Sequence, residues 1–285
     1  MKPIAKNTFQ SALLVYLVGL AGFWLWLRHS GYQTSNYNYA YSLLFSLQPL
    51  IGGLIGMVRS GIWGRFKSAI GKSVFFFSLG LLLWGAGSMV WSYYNFIVKN
   101  SLPYPSLADL GFAPSIFFWG LGAVFLSKAS GARFAFRTSM FAKFFVAAAV
   151  VLLPAAAYYL LVHVARGGVV VPEGESSLKT VLDVAYPLGD FVALMLSVII
   201  FGLSMRYFGG YFRLSIISLL AGLAVMFLAD FVFSYTTTTG TFYNGDWGDL
   251  LLTFGLFLLT YGVLGFASRP KVKLASSSGP ETSKA

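Results

Sequence analysis

The chain has 285 residues, of which 57% are hydrophobic and only 10% charged, against about 25% charged in an ordinary soluble domain. Its net charge is +11 and it has no cysteine, which excludes disulfides, thiolate metal sites and cysteine nucleophiles. Nucleic acid is not the expected partner of this charge, because the basic residues border long apolar segments and form no soluble basic face.

A bilayer core of about 30 Å needs roughly 20 apolar residues per helix. By that rule the sequence predicts eight spans, at about 11–29, 39–58, 73–97, 107–127, 140–163, 181–207, 213–234 and 247–267. The expected fold is an all-α polytopic membrane helix bundle, with residues 1–267 as a single eight-helix transmembrane domain and 268–285 as a disordered, Ser- and Lys-rich cytoplasmic tail. The first span follows Lys2 and Lys6, is long and aromatic (Phe23, Trp24, Trp26), and lacks a small-x-small cleavage site, so it reads as uncleaved. The second contains Gln48 beside Pro49. In the third, Trp84, Ser88, Trp91 and Asn95 recur at spacings of four, three and four, which puts them on one helical face. The fourth opens on Ser106-x-x-Asp109 and carries Pro114; the fifth carries Pro154 and closes on His163. The sixth opens on Thr180-x-x-Asp183 and includes Tyr186, Pro187 and Asp190. The seventh bears Asp230 near its end, and the eighth opens on Asp246-x-x-Asp249. A proline inside a span frees a carbonyl that a neighbour, water or a cavity must satisfy. Four of them suggest either plain kinks or a bundle with an outer cavity.

Charge orients the bundle. With both termini in the cytoplasm, every Lys and Arg falls on the cytoplasmic side except Arg28, Lys99, Arg166 and Lys179, and all six Asp residues fall outside. The expected location is therefore the cytoplasmic (inner) membrane, with the lipid bilayer as first partner. Residues 84–122 and 222–262 also echo one another weakly, through duplication or through a shared interfacial aromatic belt.

The carboxylates divide into two kinds. Ser106-x-x-Asp109, Thr180-x-x-Asp183 and Asp246-x-x-Asp249 have the pattern of a capping box, with an oxygen at the N-cap and an acid three residues on, and the acid meets the positive end of the helix dipole. Asp190 and Asp230 have no such account. Asp190 lies on the face of Asp183 and roughly 10 Å deeper at 1.5 Å per residue. A carboxylate inside a span costs about 2.5–3.5 kcal/mol on insertion scales and is a functional candidate by default. The candidate ligand-binding set is Asp190, Asp230, Asp183, Asp109, Tyr186, Trp91 and Asn95. The two histidines, His29 and His163, have no metal-ligand spacing, so no metal site is expected, and no cofactor: no mid-span lysine is present to form a retinal Schiff base.

Four strings carry a resemblance: Pro103-Tyr104-Pro105-Ser106-Leu107-Ala108-Asp109-Leu110, Ala185-Tyr186-Pro187-Leu188-Gly189-Asp190, Ala229-Asp230-Phe231-Val232-Phe233 and Asp246-Trp247-Gly248-Asp249-Leu250-Leu251. Over residues 80–265 the chain resembles the multi-helix membrane modules that precede the catalytic domains of some bacterial diguanylate cyclases and sensor kinases. The resemblance implies an input module responding to a ligand or to membrane state. Only a short tail follows Arg269, so an output would have to pass to a cytoplasmic signalling partner or through a homo-oligomer. The leading expectation is a non-enzymatic sensor or ligand-binding module, opening outward around Asp190 and Asp230. A transporter or channel subunit for a cation or basic solute is the first alternative. An intramembrane aspartyl protease is the second, since two aspartates on adjacent spans could share a proton; Pro187 replaces the first glycine of its Gly-x-Gly-Asp motif.

Overall fold

The computed structural model describes residues 8–98, 106–129, 140–164, 167–169, 182, 185–186, 188–189, 191–196 and 212–266. Among the described residues every regular element is helical: α1 (Thr8–Ser30), α2 (Asn36–Arg59), α3 (Ala69–Tyr93), α4 (Asp109–Ala129), α5 (Met140–Tyr158), α6 (Arg213–Thr238) and α7 (Trp247–Gly265). Among the described residues six segments are long and apolar enough to cross a bilayer: Thr8–Ser30, Asn36–Trp63, Ala69–Val98, Asp109–Ala129, Arg213–Thr237 and Trp247–Gly265. The protein is thus an all-helical, multi-pass membrane protein. The fifth expected span coincides with α5 and its π-helical continuation Tyr159–Val164. The sixth, 181–207, is described only at 182, 185–186, 188–189 and 191–196, all helical.

Local chemistry sets the helix ends. Gly31, at a φ of 71° that disfavours other residues, turns the chain after α1. At the start of α2, Asn38 Oδ1 accepts from the Ser35 N–H and hydroxyl. The short 3₁₀ turns Ser60–Trp63 and Arg65–Lys67 pivot on Gly64 (φ 77°), after which Ser68 Oγ accepts from Gly71 N at 2.9 Å and opens α3. Neither Pro49 nor Pro114 interrupts its helix; Pro187 lies outside the described residues.

Small residues let the helices approach closely, as they must where lipid supplies no hydrophobic drive for association. A Cβ at Gly53 would sit 2.7 Å from the Ser78 carbonyl, and one at Gly85 would sit 2.9 Å from the Leu50 backbone, which fixes α2 antiparallel to α3. Gly52 meets Thr260, and Gln48 Nε2 donates to the Thr253 carbonyl at 2.8 Å, so α2 runs parallel to α7. α1 lies antiparallel to α7, tied by Gln10 Nε2 to the Tyr261 carbonyl at one end and Trp24 Nε1 to the Asp246 carbonyl at the other. Tyr41, Phe77, Leu81, Trp119, Leu256 and Leu259, each fully buried, centre the shared core. Up-and-down threading gathers Arg59, Arg65, Lys67, Lys72, Lys128 and Arg213 at one end and Asp109, Asp230, Asp246 and Asp249 at the other.

The echo between the two hairpins extends to their packing. In α3–α4, Gly80 lies against Trp119 and Gly122 against Phe77; in α6–α7, Gly222 lies against Leu259 and Gly262 against Leu219. One shift along the first helix and one along the second carry each pair onto the other. The same shifts bring Ser88, Trp91 and Ser92 onto Asp230, Phe233 and Ser234, and Asp109 onto Asp249. The matching contacts lie in the middle of the helices, away from the interfacial aromatic belt.

Candidate functional site

The two hairpins and α2 enclose a cavity at the acidic end, with about 910 Å³ of empty space counting its open mouth. Three carboxylates line it, from Asp109, Asp230 and Asp249, together with the hydroxyls of Ser42, Ser88, Tyr186, Ser234 and Thr237. Aromatic rings form most of the remaining wall: Phe45, Trp84, Trp91, Phe112, Phe233 and Phe242.

The capping pattern at α4 is present and also serves the cavity. Ser106 Oγ accepts from Ala108 N at 3.2 Å, while Asp109 Oδ2 reaches back to accept from Ser106 N at 2.7 Å. Asp109 Oδ1 then accepts from the Tyr186 hydroxyl at 2.5 Å, which joins the start of α4 to the helical segment around 185–186. At α7 the arrangement repeats with one displacement. Asp246 Oδ1 caps Asp249 N at 3.1 Å, and Asp249 Oδ2 accepts from Gly245 N at 2.6 Å instead of from its own N-cap. Ser42 Oγ donates to the same oxygen at 3.1 Å. Asp249 is only 5% exposed, and these two donors face the same carboxylate oxygen.

Asn244, in the loop between α6 and α7, binds this end together. Its side-chain oxygen accepts from Trp91 Nε1 (2.9 Å) and Asn95 Nδ2 (3.4 Å) and lies 3.2 Å from Ser42 Oγ, whose single proton it shares with Asp249, and its carbonyl accepts from Asn38 Nδ2 (2.8 Å). Asn95 reaches it from the π-helical turn Tyr94–Val98 that ends the third helix. Behind the loop, Arg28 hydrogen-bonds the Tyr243 hydroxyl and stacks over Trp24 and Trp247, 5.9 and 5.6 Å from the ring centroids. Burial raises the Asp246 carboxyl above its usual range, offset in part by the backbone N–H groups of Asp249 and Gly248 and by the charge of Arg28. Asp246 Oδ2 is buried without a hydrogen-bond partner among the described residues.

Four of the sequence candidates therefore meet in one cavity: Asp109, Asp230, Tyr186 and Trp91. Asn95 stands behind the wall, on Asn244. Asp190 and Asp183 lie outside the described residues. His163 is exposed and packs on the Tyr159 ring, away from the cavity lining. Sequence reasoning missed Asp249 and Ser42 as site residues and Asn244 as their anchor. Asp249 was explained as a cap, but capping uses only part of a carboxylate's acceptor capacity and leaves the group free to face a cavity. The repeat was the available signal, since it equates Asp249 with Asp109.

No family model, curated protein or solved structure matches this chain.

Beneath the cavity the described helices pack tightly. Ser46 and Ser88 hydroxyls hydrogen-bond each other, and Tyr41 pairs with Thr253 at 2.8 Å. Deeper still lie Phe77, Leu81, Leu223 and Leu256, each no more than 2% exposed. The space above this layer is lined by acidic, hydroxyl and aromatic side chains.

Proposed function

We propose that the protein is a non-enzymatic membrane ligand-binding module of the sensor kind. It crosses the cytoplasmic membrane eight times, with both termini in the cytoplasm and the acidic end facing out. The single observation that carries this reading is the cavity, which joins Asp109, Asp230, Asp249 and Tyr186 on four segments of chain. The basic residues at the opposite end support the orientation. The closed apolar core beneath the cavity supports binding over passage. Occupancy would change how the two repeated hairpins sit against α2, and the cytoplasmic ends of the same helices would pass that change to a signalling partner or a second copy of the chain.

The test uses 1-aminoanthracene, an apolar fluorophore that is uncharged near neutral pH, with the protein in lipid nanodiscs. Energy transfer from Trp84 and Trp91 to the bound dye is expected for the native chain. It should be lost in Ser234→Trp, which fills the cavity, and kept in Gly120→Trp, on a helix surface with nothing described within 4 Å. Equal transfer in the native chain and Ser234→Trp would remove the cavity as a binding site.

A further inference from the structure

We infer that the cavity selects an organic ammonium cation with an apolar body. This rests on the ligand-binding reading above and adds the chemical class of the ligand.

The lining carries three carboxylates and, among the described residues, no Lys, Arg or His. Arg28, at the acidic end, is held behind the α6–α7 loop by Tyr243, Trp24 and Trp247. A cleft lined by one sign of charge with apolar walls concentrates the field inside it. That field opposes an anion and favours a cation.

The walls then decide between an inorganic ion and an organic one. A small metal ion needs several oxygens converging at about 2–2.6 Å. Here Asp109 and Asp249 are already held by their cap donors: Asp109 by Ser106 N and the Tyr186 hydroxyl, Asp249 by Gly245 N and Ser42. Among the described residues no group of three acidic or histidine side chains is placed to hold a metal. Aromatic faces surround the space between them instead, and an ammonium group is attracted to such faces while its apolar body is buried against them. Trp91 is fixed for this by donating its Nε1 to Asn244, and Phe233 and Phe242 pack edge to face 5.1 Å apart beside it.

The repeat adds a further point. The two hairpins present equivalent aromatics, Trp91 and Phe233, and equivalent capping acids, Asp109 and Asp249. They differ where the first has Ser88 and the second Asp230. Ser88 is engaged with Ser46. The second hairpin therefore brings one more acidic side chain to the lining, and the ammonium group is expected on the α6 side, with the apolar body toward Trp84 and Phe112.

The experiment measures binding of three isosteres to the full chain in nanodiscs: phenethylammonium, the neutral phenylethanol and the anionic phenylacetate. Displacement of 1-aminoanthracene and the shift in melting temperature are the readouts. Phenethylammonium is expected to bind at least about tenfold more tightly than either isostere, since a tenfold ratio needs only one such contact. Asp230→Asn should remove that advantage while leaving phenylethanol unchanged. Phe233→Leu keeps the charge and most of the bulk, and should weaken the cation more than the alcohol. Tighter binding of phenylethanol or phenylacetate, or an unaltered cation preference in both variants, overturns the inference. If the dye still reports the cavity in that case, the ligand-binding reading stands and only the ligand class is wrong.

Discussion

Two glycines two residues apart on α4, facing different sides of the helix, give a sharp test of the packing that shapes the cavity. Gly122 faces Phe77: a Cβ there would lie 2.6 Å from Cδ2 and 2.9 Å from Cγ of a ring that is 0% exposed. Gly120, on the same helix, has nothing within 4 Å among the described residues. Replacing either by alanine gains the same helix preference, about 0.5–1 kcal/mol. The gain cancels in the comparison and leaves the overpacking cost, about 1–3 kcal/mol. At about 2–4 °C per kcal/mol for a chain of this size, Gly122→Ala should melt several degrees below Gly120→Ala. Thermal unfolding of the detergent-solubilised protein, followed by tryptophan fluorescence, measures the difference. Gly262→Ala should behave like Gly122→Ala, because its Cβ meets Leu219 at 2.7 Å and the Ser215 carbonyl at 2.8 Å. If Gly122→Ala melts with or above Gly120→Ala, the close approach of α3 and α4 is wrong, and with it the wall of the cavity.

Other substitutions probe the acidic end and the core. Tyr186→Phe removes the donor to Asp109 Oδ1; a bond to an ionised group is worth about 1.5–3 kcal/mol, so a lower melting temperature is expected and an unchanged one would break the link between α4 and the segment at 185–186. Asp246→Asn keeps an oxygen to cap Asp249 N but removes a carboxyl whose folded value is raised from 3.8 by burial. Such a group contributes most below its unfolded value and loses that contribution as pH rises through the folded one; the variant's melting temperature relative to the native chain should therefore rise from pH 3.8 toward neutrality, and a falling difference would contradict the burial. Thr260 Oγ1 is buried with no partner among the described residues, so Thr260→Val should stabilise by about 1 kcal/mol, and a loss of stability would point to a partner for that hydroxyl.

Much of the fold was legible because bilayer physics writes it into composition. Apolar length located α1 to α4, α6 and α7, and the basic residues at their ends marked the shared face of the bundle. The spacing of Trp84, Ser88 and Trp91 put them on one face of α3, and all three line the cavity. Periodicity does not say what that face meets, so Ser42 and Phe45 of α2 could not be placed opposite it. Asn244 was illegible for another reason: a loop asparagine becomes a hub only when α2 and α3 bring Asn38, Ser42, Trp91 and Asn95 to it. Asp249 was hidden by an explanation that was correct and incomplete, since it both caps α7 and faces the cavity.

The chain's lack of cysteine makes the most direct test a clean one. A single cysteine replaces Ser234, which lines the cavity, or Gly61, an exposed residue in the turn at the basic end. Intact cells are then treated with a membrane-impermeant thiol reagent. An outward-opening cavity predicts that Ser234→Cys is labelled from outside, while Gly61→Cys reacts only after the membrane is opened. The reverse pattern, or a Ser234→Cys that is unreactive from either side, would contradict an outward-opening site.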